Sequence, residues 1–214
     1  ILSLAAGQLV LFERVFHLKR SKFLSVLIAV MLVISSFSCL SVVSFAAVVD
    51  SGNEYDDEGN ITCTYWELDD DGTLTLLADC DGNTWATHAA SIKTVVVDGE
   101  TTKINNSAFT GYPVLEKVIF RKTLSTIEAG AFQDCDLLTE IDLAGTTSIQ
   151  DYAFYDCDGL RRVTIYGGLA DGRVGKSIFK NCDNLEYVEL KNGAIEIGES
   201  MFEDCTALKT LVLP

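Results

Sequence analysis

IEAGAFQDCDLLTEIDL (127–143) is the stretch on which the fold of this chain turns. It holds an Ala-Phe pair, a Cys three residues after the Phe, a Leu six after it, and an alternating Leu-x-x-Ile-x-Leu tail. The arrangement recurs around Phe109, Phe132, Phe154, Phe179 and Phe202, at spacings of 23, 22, 25 and 23 residues. Self-similarity at such a period is the signature of a stacked-repeat solenoid. A solenoid is an extended surface before it is a pocket, so binding is the default expectation.

Several columns agree through all five copies. Five residues before each Phe stands Ile104, Ile127, Ile149, Val174 or Ile197. Three after it come Tyr112, Cys135, Cys157, Cys182 and Cys205, and six after it Leu115, Leu138, Leu160, Leu185 and Leu208. The tails run from Val118/Phe120 to Leu211/Leu213, nine and eleven residues after Phe. An amphipathic helix would repeat at about 3.6 residues instead. Each tail alternates like a short strand with one buried face. Each Ala-Phe-x-x-Cys segment, with its Asp, Asn and Gly, reads as a tight or 3₁₀-like turn. One copy cannot bury its apolar face, and stacked neighbours can. A half copy, Ile92/Val95/Val97, precedes the first full one, and YGGLADGR (166–173) inserts a surface loop before the fourth.

The chain begins without Met, which suggests a fragment or a frame opened upstream. Arg14, Lys19, Arg20 and Lys22 precede the apolar run FLSVLIAVMLVI (23–34), followed by a Ser-rich exit. Basic end, apolar middle and small-residue exit make a secretory signal peptide, expected to be cut after Ala46. The rival is an uncleaved anchor, since residues 23–49 are uncharged and long enough to span a bilayer. Ser36, three before Cys39, is not the aliphatic that lipid attachment at Cys39 would want. The expected organisation is 1–46 signal peptide and upstream residues, 47–90 acidic leader and hairpin cap, and 91–214 repeats.

The chain carries 16 Lys/Arg against 31 Asp/Glu. Four of the bases and one acid precede residue 47, so the exported part has formal charge −18. That disfavours nucleic acid and anionic membrane surfaces as partners. Four of its six cysteines share one repeat column and read as structural, small hydrophobes under a turn. A disulfide between neighbouring rungs is the geometric alternative. Their spacing, with no companion His, is poor for zinc.

Residues 50–60 (DSGNEYDDEGN) read as a mobile acidic leader. ITCTYWELDDDGTLTLLADCDG (61–82) reads as a β-hairpin. A two-residue Asp71-Gly72 turn would set Cys63 opposite Cys80, ready for a bridge. A three-residue loop with left-handed Gly72 would align Trp66 and Leu68 with Leu74 and Leu76. Apolar agreement favours the second, because a one-residue slip flips every side chain. Trp66 and Trp85 are expected to cover the first rung.

Three motifs imitate chemistry. ADGRVGKS (170–177) fits a permissive phosphate-loop pattern, but Val174 and Phe179 belong to repeat columns and no long helix follows. ELDDDGTL (67–74) resembles a calcium loop with Ala78 where a bidentate Glu belongs. His88 is the only His past residue 46 and reads as a surface or capping residue. No catalytic group, metal or cofactor is expected.

The copies IEAGAFQDCDLLTEIDL, IQDYAFYDCDGLRRVTI and IGESMFEDCTALKTLVLP resemble the BspA-like leucine-rich repeats of bacterial, and some protist, surface proteins. The resemblance covers about residues 61–214, including the entry WELDDDGTLTL and SIKTVVVDGETTKINNSAF. It implies a β-rich leucine-rich-repeat solenoid: a parallel sheet on one face, turns or short 3₁₀ segments on the other, and an N-terminal hairpin cap. It implies secreted or surface-attached proteins, some of them adhesins, and supplies no catalytic residues.

The expected function is adhesion or interaction with an extracellular protein or glycan through the outward columns of the sheet. Those columns are Lys93, Glu116, Thr139, Arg161, Glu186 and Lys209; beside them Thr94, Lys117, Glu140, Arg162, Tyr187 and Thr210; and then Val96, Ile119, Asp142, Thr164, Glu189 and Val212. The candidate binding residues are Arg161, Arg162 and Tyr187 as anchors, with Glu140 and Lys117. The bland alternative is that they only form cross-strand ion pairs with Glu140, Glu186 and Glu189. A second functional reading is a spacer within a larger surface protein. The chain stops at LVLP (211–214), the end of a strand, which suggests further sequence beyond it.

Overall fold

The computed structural model describes residues 46–55, 61–79, 84–167, 174–191 and 196–214. In chain order the strands are β1 (Val48–Tyr55), β2 (Ile61–Asp69), β3 (Thr73–Ala78), β4 (Thr94–Glu100), β5 (Lys103–Ile104), β6 (Lys117–Phe120), β7 (Thr126–Ile127), β8 (Glu140–Asp142), β9 (Arg162–Tyr166), β10 (Tyr187–Lys191) and β11 (Thr210–Val212). The repeat columns stand on one another. In parallel register Val95 meets Val118 and Ile141 meets Val163, which meets Val188, which meets Leu211. On the opposite wall Ile104 pairs with Ile127, Ile127 with Ile149, and Ile149 with Val174. The chain is therefore a β-solenoid, as the period requires.

Between the walls the Phe rings form one column. Phe109, Phe132, Phe154 and Phe179 are fully buried. Successive centroids from Phe109 to Phe202 lie 5.2, 5.2, 5.3 and 5.7 Å apart, with planes within 11° of parallel. Isolated rings prefer offset or edge-on contacts. Here the strand spacing of about 4.8 Å dictates the geometry. Trp85 continues the column at 5.5 Å from Phe109 and covers its first ring.

The turn beneath each ring needs two left-handed residues. Two positions after Phe stand Gly111, Asp134, Asp156, Asn181 and Asp204, all at φ between 57° and 68°. Gly, Asn and Asp tolerate this region best. Two positions before Phe stand Ser107, Gly130, Tyr152, Ser177 and Ser200, again all at positive φ. Tyr152 is the bulky exception, at a cost of about 1–2 kcal/mol. Between these turns the column Cys residues are free thiols serving as donors. Cys135, Cys157, Cys182 and Cys205 each donate Sγ–H to the Phe carbonyl of the preceding rung, at 3.0–3.2 Å. The inter-rung disulfide is not adopted.

The cap contains the hairpin in the apolar register. Trp66 faces Leu76 and Leu68 faces Leu74, with Gly72 at φ +84°. β3 then runs parallel to β4, so the cap sheet flows into the first rung. Trp66 and Trp85 are each 3% exposed and meet edge-on. Trp66 Nε1 donates to Thr84 Oγ1 at 2.7 Å. Cys80 and the side chain of Cys63 lie outside the described residues, as do residues 1–45, where the signal segment is expected.

One expectation is corrected. Residues 50–55 are not a mobile leader: β1 pairs antiparallel with β2 along its length, with three register irregularities. Ala47 N–H donates to Asp70 Oδ1 at 2.9 Å, and His88 Nε2 meets Asp50 Oδ2 at 2.7 Å. An acidic, bulged strand suits a sheet edge, where charge and irregularity block unwanted pairing. Its polarity conceals it from an apolar-periodicity reading. At the other end the fifth copy is open, with Ile197, Leu211 and Leu213 at 51, 46 and 65% exposure. No helix among the described residues is long and apolar enough to cross a membrane.

Candidate functional site

The sheet face is not continuous. β1-β2-β3-β4-β6 form one sheet and β8-β9-β10-β11 another, with no ladder between β6 and β8. At the other rung steps a backbone amide crosses to the rung below: Glu116 to Lys93, Arg161 to Thr139, Glu186 to Arg161, Lys209 to Glu186. No such bond joins Thr139 to Glu116. A local cause is visible at Asp142. Its carboxylate accepts the Ala144 amide at 3.0 Å, whereas the equivalent amide at Arg121 bonds back to Val97. Short Asx side chains compete with ladders in this way. The core does not follow the split, since Phe109 and Phe132 stay stacked beneath it.

The seam opens a solvent-accessible cleft of about 370 Å³, near the low end of the range of ligand sites. Lys117 and Ile119 form one bank, Glu140 and Asp142 the floor, and Arg162 and Thr164 the other bank. Three of the residues singled out from the sequence, Lys117, Glu140 and Arg162, thus line one cavity. Arg162 holds its guanidinium 4.2 Å from the ring centroid of Tyr187, its neighbour on β10 on the side away from β8, in a cation–π contact. Arg161 is exposed beside it in the neighbouring column.

Two acids of the bland alternative pair with other cations, Glu186 across rungs and Glu189 within its own strand. Glu186 pairs with Lys209 at 3.5 Å and Glu189 with Lys191 at 3.4 Å. Among the described residues no salt bridge involves Lys117, Glu140, Arg161 or Arg162. The sequence missed the seam and with it Asp142. The signal available was an Asp two residues before Ala144-Gly145, where a strand ends in a turn. Two outward positions, Val96 and Thr164, are buried instead, each flanked on both sides by neighbouring strands.

The other groups with chemistry have structural employment. Asp69 Oδ1 accepts from Asp71 and Thr73 amides, so the calcium-like loop is a hairpin turn with its carboxylate turned inward. Val174 and Phe179 occupy solenoid columns, which removes the helix a phosphate loop needs. Burial pushes the Cys135 thiol up to about 12, so it is not a nucleophile. On the turn flank, partial burial and then the neighbouring carboxylates of Asp134 and Asp158 raise Asp156, as expected for acids stacked rung over rung.

The description "BspA type Leucine rich repeat region" matches residues 84–209 with six copies. Among solved structures, a T. pallidum leucine-rich repeat protein is similar at 22% identity and TM-score 0.52, over 69% of this chain and 78% of that one. A Eubacterium ventriosum leucine-rich repeat protein matches at 23% identity and TM-score 0.45, over 58% of this chain and 41% of that one. A leucine-rich cell surface protein of Faecalibacterium prausnitzii matches at 20% identity and TM-score 0.46, over 76% of this chain and 55% of that one. The chain therefore spans less than two thirds of the length of two of these three. No curated protein sequence matches. With six copies covering more than half of its residues and the Phe column stacked through the solenoid, the chain belongs to the BspA type leucine-rich repeat family.

Proposed function

We propose that this chain is a secreted or cell-surface interaction module that binds an extracellular protein or glycan through its repeat sheet face, without catalysis. The observation that carries the reading is the cleft at the divided sheet, rimmed by Lys117 and Arg162 and floored by Glu140. Arg and Tyr dominate energetic hot spots because they offer large, orientable, amphipathic contact area. Arg161, Arg162 and Tyr187 are the anchors in this reading, with Glu140 and Lys117 setting orientation. Export through residues 1–46 is part of it and supplies the acidic chain to the outside of the cell.

Capture on extracellular-matrix and cell-wall material tests this. The full exported chain is expected to be retained, and Arg161→Ala/Arg162→Ala to weaken retention about tenfold or more, the scale of one lost hot spot. The melting temperature should hardly move, since both side chains are exposed. Unchanged retention removes the anchors. The spacer reading is favoured by one feature, the unbroken aromatic column from Trp85 to Phe202, and predicts no retention at all.

A further inference from the structure

We infer that the cleft receives an extended protein segment whose charges run acidic, basic, acidic at alternate residues, laid across the rungs from Lys93 and Lys117 to Arg161 and Arg162. This rests on the sheet-face reading above and names the partner's chemistry.

The first argument is charge. The chain has 31 Asp/Glu for 16 Lys/Arg, and past residue 46 carboxylates far outnumber cations. Away from the sheet face, most described cations have found them: Lys103 with Glu128, Arg121 with Asp98, Lys122 with Glu100 and Lys180 with Glu203, at 2.9–3.4 Å, while Lys176 lies 5.9 Å from the Tyr152 ring centroid. At the far end of the sheet Lys191 and Lys209 are also paired. Lys93, Lys117, Arg161 and Arg162 form no salt bridge among the described residues, and all four are exposed on the sheet face around the cleft. Four unneutralised cations on one face of so acidic a chain fit a ligand that brings its own carboxylates.

The second argument selects among anions. Glu140 lies directly beside Arg162 in register, and Asp142 beside Thr164, so acids floor the cleft between the two cationic banks. A uniformly anionic polymer meets repulsion there. A ligand with a cation at its centre is matched at all three points, and such patterning sets specificity and orientation.

The third argument selects a peptide. The spacing of the charges fits an extended backbone. Lys93 to Arg161 spans three rung steps, about 14 Å at about 4.8 Å per step. Alternate side chains of a strand share one face and lie about 6.8 Å apart. A Glu-x-Lys-x-Glu segment therefore carries two acids about 14 Å apart with a base between them, all facing the sheet.

The test is fluorescence anisotropy of the full chain with labelled peptides of pattern Glu-x-Lys-x-Glu and the inverse Lys-x-Glu-x-Lys, with a uronic-acid oligosaccharide as the glycan arm. The first peptide should bind about tenfold or more tightly than the inverse, with affinity falling as salt rises. In Arg161→Glu/Arg162→Glu/Glu140→Lys the preference should reverse toward Lys-x-Glu-x-Lys, a gain no misfolded variant can mimic. Equal affinity for the two peptides, or no binding of either, overturns the inference. Tighter binding of the oligosaccharide also overturns it while leaving the sheet-face reading intact. Failure of every arm together with absent matrix capture removes both.

Discussion

Phe154→Ala is expected to cost about 3–5 kcal/mol of folding stability. Phe154 is fully buried and stacked on both faces, by Phe132 at 5.2 Å and Phe179 at 5.3 Å. Removing the ring deletes its own transfer free energy and leaves a void whose walls cannot close. Rung separation is fixed by two parallel ladders, Val163 with Val188 on the sheet side and Ile149 with Val174 on the other. Neighbouring rings are thus held apart, and the cavity term is paid nearly in full. The same change at Phe202, which is only partly buried and stacked on one side, should cost clearly less. Urea unfolding followed by circular dichroism measures both. A cost below about 1 kcal/mol at Phe154 would contradict an interior column. Loss of coincidence between probes would mean that the array has split into two cooperative blocks at the damaged rung.

Native thiol trapping should show protection of at least about a hundredfold for Cys135, Cys157 and Cys182 relative to the urea-unfolded chain, because only the accessible thiolate reacts. All three are fully buried; burial raises Cys135 to about 12, and the neighbouring Cys182 thiol together with burial pushes Cys157 well up. Cys205, on the open fifth rung, should react first even though partial burial raises it to about 12. Peptide mapping of the alkylated chain gives the order. The same shifts set an alkaline limit. These thiols hold their protons more tightly folded than unfolded, so unfolding releases protons. Their contribution to stability is complete below about pH 9, the ordinary thiol value, and is lost as pH climbs toward about 12. Uniform reactivity among the four thiols, or constant stability through that window, would contradict the buried column.

The columns were legible because stacking demands them. A residue that must sit on its counterpart one rung below is chosen by the same environment five times, and the spacing of Phe, Cys and Leu records this. The hairpin register was legible for a related reason, since only one alignment keeps Trp66 and Leu68 with their apolar partners. What escaped depends on polar groups. β1 is held by backbone pairing and by Asp70 and His88, none of which leaves an apolar period. The seam depends on which acceptor the Ala144 amide selects, a competition between Asp142 and the neighbouring strand that residue type alone does not decide. Tyr152 likewise sits in a left-handed slot that Ser or Gly fills in the other copies. The candidate site shares this division. Its outward residues followed from strand alternation, whereas their gathering around a cleft followed from the missing ladder.

Ring-to-ring contacts between consecutive copies test the account most directly. With phenylalanine rings selectively labelled, the nuclear Overhauser pattern should connect Phe109 to Phe132, Phe132 to Phe154, Phe154 to Phe179 and Phe179 to Phe202. Copies two rungs apart, about 10 Å away at the rung repeat, should give none. Rings that contact out of sequential order, or that contact water rather than one another, would contradict the stacked solenoid and with it the divided sheet face.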